Sequence, residues 1–146
     1  MSATLYTRDI LRLAVSIPHQ GRLQSPHGTA EIRSRTCGSV VSADVHLSKD
    51  QLISDIGIEV NACALGQASA AILTAEAMGK NYSKIQAARD HLARFFAGSE
   101  TMPGFWENMN HLSSAKEHAG RHAAILLPYD ALLKALEIAM QKQEVA

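Results

Sequence analysis

Two neighbouring segments in which apolar and polar residues alternate constrain the fold of this chain more than any other feature. The apolar residues that share one face are Val41, Ala43, Val45 and Leu47 in the first segment and Leu52, Ile56, Ile58 and Val60 in the second. A period of two is typical of strands with one buried face, so the opposite face, with Asp44, is expected to be exposed. The turn-forming residues 48–51 predict an antiparallel pair. Residues 29–34, which are polar on both sides, predict an edge strand beside it.

Helices are predicted on either side of these strands. The predicted helices cover residues 4–15, 65–78, 84–98 and 129–142, joined by a looser connector over residues 99–120. Expected signals at their ends are Thr4 or Thr7, Ser83 and Pro128 at N-termini and Gly79 at a C-terminus. This order predicts an α+β fold, a three-stranded antiparallel sheet with helices packed on one face.

Length and composition limit the class of protein. The chain has 146 residues, with 14 basic and 14 acidic residues, which fits one domain over residues 1–146 and lacks the basic stripe of a nucleic-acid-binding protein. No apolar run is long enough to span a membrane, and charges interrupt the first 23 residues, unlike a secretory signal. We therefore expect a cytoplasmic monomer or homodimer. No phosphate loop or nucleophile–base pair is present, so we expect no enzyme activity.

The two cysteines flank the antiparallel pair. Cys37, followed by Gly38, precedes the first alternating segment, and Cys63 follows the second. Because the start of one antiparallel strand lies beside the end of the next, both cysteines are expected at the same end of the sheet. Cys63 also precedes a helix, whose dipole favours the thiolate, so we expect it to be more reactive than Cys37, which gains no such help. The alternative is a buried, inert Cys63.

Histidines offer a weaker metal-binding pattern. His118 and His122 are four residues apart and would share one face of a helix, a spacing that suits a bound metal ion. Gly120 between them makes that helix uncertain, and a solvated polar face is the simpler interpretation.

The residues around both cysteines resemble the IscU/NifU/SufU family of iron–sulfur cluster assembly scaffolds, and the resemblance runs from about Leu5 to Leu136. The family has Cys-Gly-Asp at the head of a strand, where this chain has Cys37-Gly38-Ser39. The family also has a cysteine before a helix of small residues, where this chain has Cys63 followed by Gln67-Ala68-Ser69-Ala70. The stretch RHAAILLPYDAL resembles the surroundings of the family's third cysteine, with Arg121 at the family's arginine and Ala124 in the cysteine position. The connector before Arg121 resembles the insertion of SufU-type members.

The resemblance implies an IscU/SufE-like fold and an iron–sulfur cluster assembly scaffold or carrier. It implies a cluster, or a zinc or iron ion, bound by Cys37 and Cys63, with Ser39 and His122 as further metal ligands. The implied partners are a cysteine desulfurase and cluster-acceptor proteins. Since Ser39 and Ala124 replace two family ligands, binding is expected to be weak or absent. Two alternatives stay open: a sulfur-relay or thiol-redox partner of a cysteine desulfurase, and a non-metal-binding interaction module of the same fold.

Overall fold

The computed structural model describes residues 5–145. Its strands are β1 (Gly28–Arg33), β2 (Val40–Leu47) and β3 (Ile53–Asn61), and its helices are α1 (Arg8–Ala14), α2 (Ala64–Ala77), α3 (Tyr82–Phe96) and α4 (His122–Val145). Two 3₁₀ turns, Met109–Ala115 and Ala119–Arg121, occupy part of the connector between α3 and α4. The strands form one antiparallel sheet in the order β1-β2-β3, which confirms the predicted topology. In the part of the chain that the structure describes, none of the helices has the length and apolar character needed to span a membrane.

Helices pack on the predicted apolar face of the sheet. Val41, Ala43 and Val45 of β2 are fully buried, and α4 lies across β1 and β2. The helix approaches the start of β1 so closely that a Cβ at Gly28 would lie 2.0 Å from the carbonyl oxygen of Ala135. The alternation therefore predicted the buried face of β2 correctly, and the prediction of helices on one face is confirmed.

The start of β3 departs from the predicted alternation. Leu47 pairs with Ile53, and the register shifts between His46 and Leu47. As a result Ile53 is 2% exposed, whereas Leu52 is 38% exposed. The prediction that Leu52 belongs to the buried face is wrong, because a bulge exchanges the faces on which successive residues lie.

The other face of the sheet is partly covered by the segment that precedes β1. The N–H of Gly21 donates to the carbonyl of Ile58 at 2.8 Å, and the N–H of Ile58 donates to the carbonyl of His19 at 3.0 Å. The segment then crosses over Gly57, where a Cβ would lie 2.7 Å from the carbonyl oxygen of Gly21. Glycine at position 57 therefore permits this crossing.

Asp44 lies beneath the crossing segment, and its side chain is 1% exposed. It accepts hydrogen bonds from Nε of Arg22 at 2.9 Å and from the N–H of Leu23 at 3.0 Å, and it also accepts the hydroxyl of Thr29. The expectation that Asp44 faces solvent is wrong, because the covering segment comes from elsewhere in the chain.

The helix ends match the predictions in part. Thr7 caps α1, its hydroxyl accepting the N–H of Ile10 at 3.2 Å, while the alternative cap Thr4 lies outside the described residues. Gly79 follows α2 with a positive φ of 81°, as a C-terminal glycine should. Asn81, rather than Ser83, caps α3 by accepting a hydrogen bond from the N–H of Lys84 at 3.0 Å.

The last helix is longer than predicted. It begins at His122, so that Pro128 lies inside the helix and not near its start. The start was predicted too far along the chain because proline is common in a first helical turn. Because Pro128 has no N–H, the carbonyl of Ala124 lacks its usual helical hydrogen-bond donor.

Candidate functional site

Cys37 lies in the hairpin loop that joins β1 to β2. The N–H of Ser34 donates to the carbonyl of Ser39 at 2.8 Å, and the N–H of Gly38 donates to the carbonyl of Ser34 at 3.2 Å. Gly38 has a φ of 74°, a conformation that glycine adopts without strain. This tight loop leaves Cys37 exposed, with its Sγ 3.1 Å from the Oγ of Ser39.

The surroundings of Cys37 stabilise its thiolate. Hydrogen bonds from the Ser34 and Ser39 side chains lower the pKa of Cys37, and burial offsets them only in part. A backbone hydrogen bond at Ser39 and the positive charge of Arg121 lower the pKa further. The thiolate is the form that attacks sulfur and binds metals. Cys37 lies at no helix N-terminus, but its loop and Arg121 stabilise the thiolate, which the sequence did not predict.

Cys63 is the N-cap residue of α2 and is half-buried. Its backbone is extended, and its thiol makes no capping hydrogen bond, so the sulfur is not engaged in holding the helix. The side chain of Gln67 instead donates to the carbonyl of Ala62 at 3.0 Å, and the N–H of Gln67 donates to the carbonyl of Cys63 at 3.0 Å. These bonds fix the turn that carries Cys63.

The register between β2 and β3 brings the two cysteines to the same end of the sheet. Val40 pairs with Asn61. Cys37 lies three residues before Val40, and Cys63 lies two residues after Asn61. Pairing of the strands thus collects both thiols at one rim, as the meander predicted.

The first turn of α4 packs against the first turn of α2, next to Cys63. A Cβ at Gly66 would lie 3.1 Å from the carbonyl oxygen of Ala124 and 3.6 Å from its Cβ. Ala124 is 1% exposed. Residue 124, where the family resemblance expects a third cysteine, therefore lies close to the helix start that holds Cys63.

The predicted histidine ligand is engaged by other groups. Nε2 of His122 lies 2.8 Å from the carbonyl of Ala115, to which it donates, and the ring stacks on Phe96 with centroids 4.0 Å apart. Nδ1 is then the nitrogen that keeps a lone pair. Among residues 5–145, no three Cys, His, Asp or Glu side chains lie close enough to hold a metal ion. The structure therefore does not bring Cys37, Cys63 and His122 together as one ligand set.

His118 and His122 do not share a helix face either. A 3₁₀ turn, Ala119–Arg121, separates them, and α4 begins only at His122.

Ser39 is buried at 6% exposure, and its hydroxyl contacts Cys37. The structure thus gives Ser39 a supporting contact to the thiol, which the sequence did not predict because it depends on the hairpin geometry.

Comparison with known proteins agrees with the observed fold. Residues 5–125 match the family model of the NifU-like N-terminal domain. The N-terminal part of a nitrogen-fixing NifU-like protein from Brucella abortus has a similar structure, with a TM-score of 0.88 at 29% sequence identity, covering 94% of this chain and 96% of that one.

A second solved structure shows the fold alone, because its sequence identity is only 21%. It is a SufU protein from the thermophile Fervidobacterium islandicum AW-1, assigned as an iron–sulfur cluster assembly scaffold protein for the SUF system. Its TM-score is 0.82, and the match covers 90% of this chain and 96% of that one. No curated protein matches the chain by sequence.

Proposed function

This chain belongs to the family of NifU-like N-terminal domains, and from that premise we propose that it is an iron–sulfur cluster assembly scaffold or carrier. The observation that carries the proposal is the β2–β3 register, with Val40 opposite Asn61, which collects Cys37 and Cys63 at one rim. Its cargo there is an iron–sulfur cluster, or a zinc or iron ion. In this role the protein holds and passes on its cargo and catalyses no reaction of its own.

The ligand set of one chain is incomplete. A zinc ion takes four ligands, and a [2Fe–2S] cluster is held by four, whereas this chain offers the thiolates of Cys37 and Cys63. Ser39 is a proposed third ligand. His122 would bind through Nδ1 and would have to turn away from Phe96, on which it stacks. Binding by the isolated protein is therefore weak in this proposal, and a partner supplies the missing ligands.

One observation favours a second candidate function, sulfur relay from a cysteine desulfurase. Cys37 is exposed, and the hydroxyls of Ser34 and Ser39 lower the pKa of its thiol. In this relay the Cys37 thiolate attacks the outer sulfur of a persulfide on the desulfurase. A new S–S bond forms on Cys37, the donor's S–S bond breaks, and the donor cysteine leaves as a thiolate. No oxidant or reductant is consumed.

The proposal also places the protein among particular partners. A cysteine desulfurase supplies sulfur, cluster-acceptor proteins receive the cargo, and both reactions require reduced thiols, as in the cytoplasm. Neither nucleic acid nor a membrane takes part in this proposal.

Anaerobic reconstitution with ferrous iron and sulfide, followed by absorbance spectroscopy and metal analysis, tests the scaffold function. We expect the wild-type protein to gain weak cluster absorbance, removable by a chelator, that Cys37→Ser and Cys63→Ser lose, whereas the exposed-site control Ser99→Ala retains it. Incubation with a cysteine desulfurase and cysteine tests the relay, which predicts a mass increase of one sulfur atom on Cys37. If the protein takes up neither metal nor sulfur, both functions are contradicted. The remaining alternative is then a non-metal-binding interaction module of the same fold.

A further inference from the structure

We propose that three exposed arginines around Cys37 select a negatively charged protein face as the partner of this thiol. Arg33 ends β1, Arg35 lies in the Cys37 loop, and Arg121 immediately precedes α4. All three residues are exposed. None of them forms an ion pair with any of residues 5–145. We call Arg33, Arg35 and Arg121 the arginine rim.

The three residues of the arginine rim come from three structural elements at the end of the sheet that carries Cys37. Arg33 pairs with Val40 at the base of the hairpin, and Arg35 lies within the loop closed by the Ser34–Ser39 hydrogen bond. Arg121 belongs to the 3₁₀ turn before α4, and its charge acts on the Cys37 sulfur. Strand, loop and helix thus each place one cation at the cysteine end of the sheet.

Among residues 5–145, the neighbouring carboxylates form no ion pair with the rim, although Glu31 and Glu59 line the same shallow concavity as Arg33. Glu31, two residues before Arg33, accepts the hydroxyl of Ser42 at 3.3 Å. Glu59, across the sheet, lies 3.7 Å from Arg22. Glu117, four residues before Arg121, forms no ion pair with it. The three guanidinium groups therefore have no ion-pair partner among residues 5–145 and can each bind a carboxylate of another molecule.

The shape of this region suits a protein face better than a small molecule. Positions Gly38 and Gly120, which adjoin Cys37 and Arg121, have open space where a Cβ would lie. Small ligands bind in concave pockets, whereas an exposed loop with separated charges matches a broad surface. Arginine stays protonated and pairs with carboxylates in a two-pronged geometry, and complementary charge raises association rates. The favoured partner therefore carries Asp and Glu side chains around its reactive sulfur.

Thiol–disulfide exchange with defined peptides tests the charge preference. Three peptides of equal length carry a central cysteine as its 2-thiopyridyl disulfide, flanked by Glu, by Gln or by Lys. The Cys37 thiolate of the Cys63→Ser variant attacks the peptide sulfur, forms the mixed disulfide and releases pyridine-2-thione, whose absorbance gives the rate. The Gln peptide corrects for any change in the reactivity of the thiol itself, because that change affects all three peptides equally.

We expect the Glu peptide to react about tenfold faster than the Lys peptide at low ionic strength, and added salt should reduce this ratio. Replacing Arg33, Arg35 and Arg121 together by Gln should remove most of the preference. Lys49→Gln is the matched control, because Lys49 lies in the β2–β3 turn at the opposite end of the sheet and should leave the ratio unchanged.

The outcomes separate this inference from the proposed function on which it rests. Equal rates for the three peptides, or an unchanged ratio in the triple variant, would overturn the arginine rim and leave the thiol function intact. A small dianionic aryl disulfide could show the same rate advantage as the Glu peptide. The arginines would then select small anions and not a protein face, and the inference would be overturned. A Cys37 that reacts with no peptide would contradict the proposed function as well.

Discussion

Ser69 of α2 donates a hydrogen bond to the carbonyl oxygen of Ile125 in α4 at 2.6 Å, and both residues are fully buried. The contact fastens the start of α4 to the helix that Cys63 caps. Next to it, Ala124 lies against Gly66, where a side chain would come within 3.1 Å of the Ala124 carbonyl. Gly66 and Ser69 of α2 therefore set how closely the start of α4, with residue 124, approaches the helix that begins after Cys63.

Gly66→Ala should destabilise the protein, although alanine favours helices. The new Cβ would lie 2.8 Å from the Cβ of Ala62 and 3.1 Å from the Ala124 oxygen, and neither atom can rotate away. Overpacking of this kind costs about 1–3 kcal/mol, against a gain of about 1 kcal/mol from helix propensity. Urea unfolding measures the net loss. Gly120→Ala, which has open space at its Cβ, is the control, and equal stability of the two variants would contradict the prediction.

Ser69→Ala should lower the free energy of unfolding by about 1 kcal/mol, because it removes a buried hydrogen bond between two helices. The exposed Ser113→Ala should have little effect. The two variants are compared by thermal and urea unfolding under the same conditions. If Ser69→Ala unfolds at the same urea concentration as the wild type, the hydrogen bond to Ile125 does not hold the helices together.

Acid should weaken the attachment of the segment that crosses the sheet. Burial alone would raise the pKa of Asp44, but hydrogen bonds from Arg22, Thr29 and Leu23 and the charge of Arg22 outweigh it and hold the pKa at about 2. Because this pKa lies below the ordinary value of 3.8, Asp44 stabilises the folded state above about pH 4. That contribution, about 2 kcal/mol, is lost as the pH falls towards 2.

Asp44→Asn should therefore lower the free energy of unfolding at neutral pH and flatten its dependence on pH below about 4. Urea unfolding at a series of pH values measures both effects. Asp50→Asn, at an exposed position in the β2–β3 turn, is the matched control and should leave the acid limb unchanged. An acid limb of wild-type steepness in Asp44→Asn would show that other carboxylates cause it.

The serines of the hairpin should control the reactivity of Cys37. Ser34→Ala and Ser39→Ala each remove a hydroxyl that stabilises the thiolate, so each should raise the pKa of Cys37. The effect of Ser34 should be the larger, since its hydrogen bond is the main cause of the lowered pKa. Alkylation rates against pH in a Cys63→Ser background measure the titration midpoint. In a Cys37→Ser background the same serine changes should not alter alkylation of Cys63, and a shift there would point to a global change in the loop.

The sheet could be predicted from the sequence because side-chain direction in a strand is a local property. Residues 41–47 therefore revealed both β2 and its buried face. Local patterns could not reveal the cover over Asp44, because it depends on Gly57 and on residues 19–23, which meet only in the folded chain. The bulge at His46 and Leu47 escaped prediction for the same reason, since it depends on how two strands pair.

Placement of the cysteines was equally predictable, since Cys37 and Cys63 flank a strand pair whose ends must meet. Their chemical surroundings were not. The positive charge that favours the Cys37 thiolate comes from Arg121. The ring of His122 stacks on Phe96 and is therefore not free to bind a metal in this arrangement. Both effects join distant parts of the chain, which local sequence patterns do not relate to one another.

Restoring the family's ligands should strengthen metal binding. Ala124→Cys adds a third thiolate next to the start of α2, and Ser39→Asp adds a carboxylate beside Cys37. The change at Ser39 also removes the hydroxyl that favours the Cys37 thiolate, but two extra anionic ligands should outweigh this loss and raise zinc affinity by at least about tenfold. Competition with a chromophoric chelator measures the affinity. Ala139→Cys, a buried position of α4 near the opposite end of the sheet, adds a thiol without a site and should leave the affinity unchanged. If the double variant binds zinc no better than this control, the match of Ala124 to the third cysteine position is wrong.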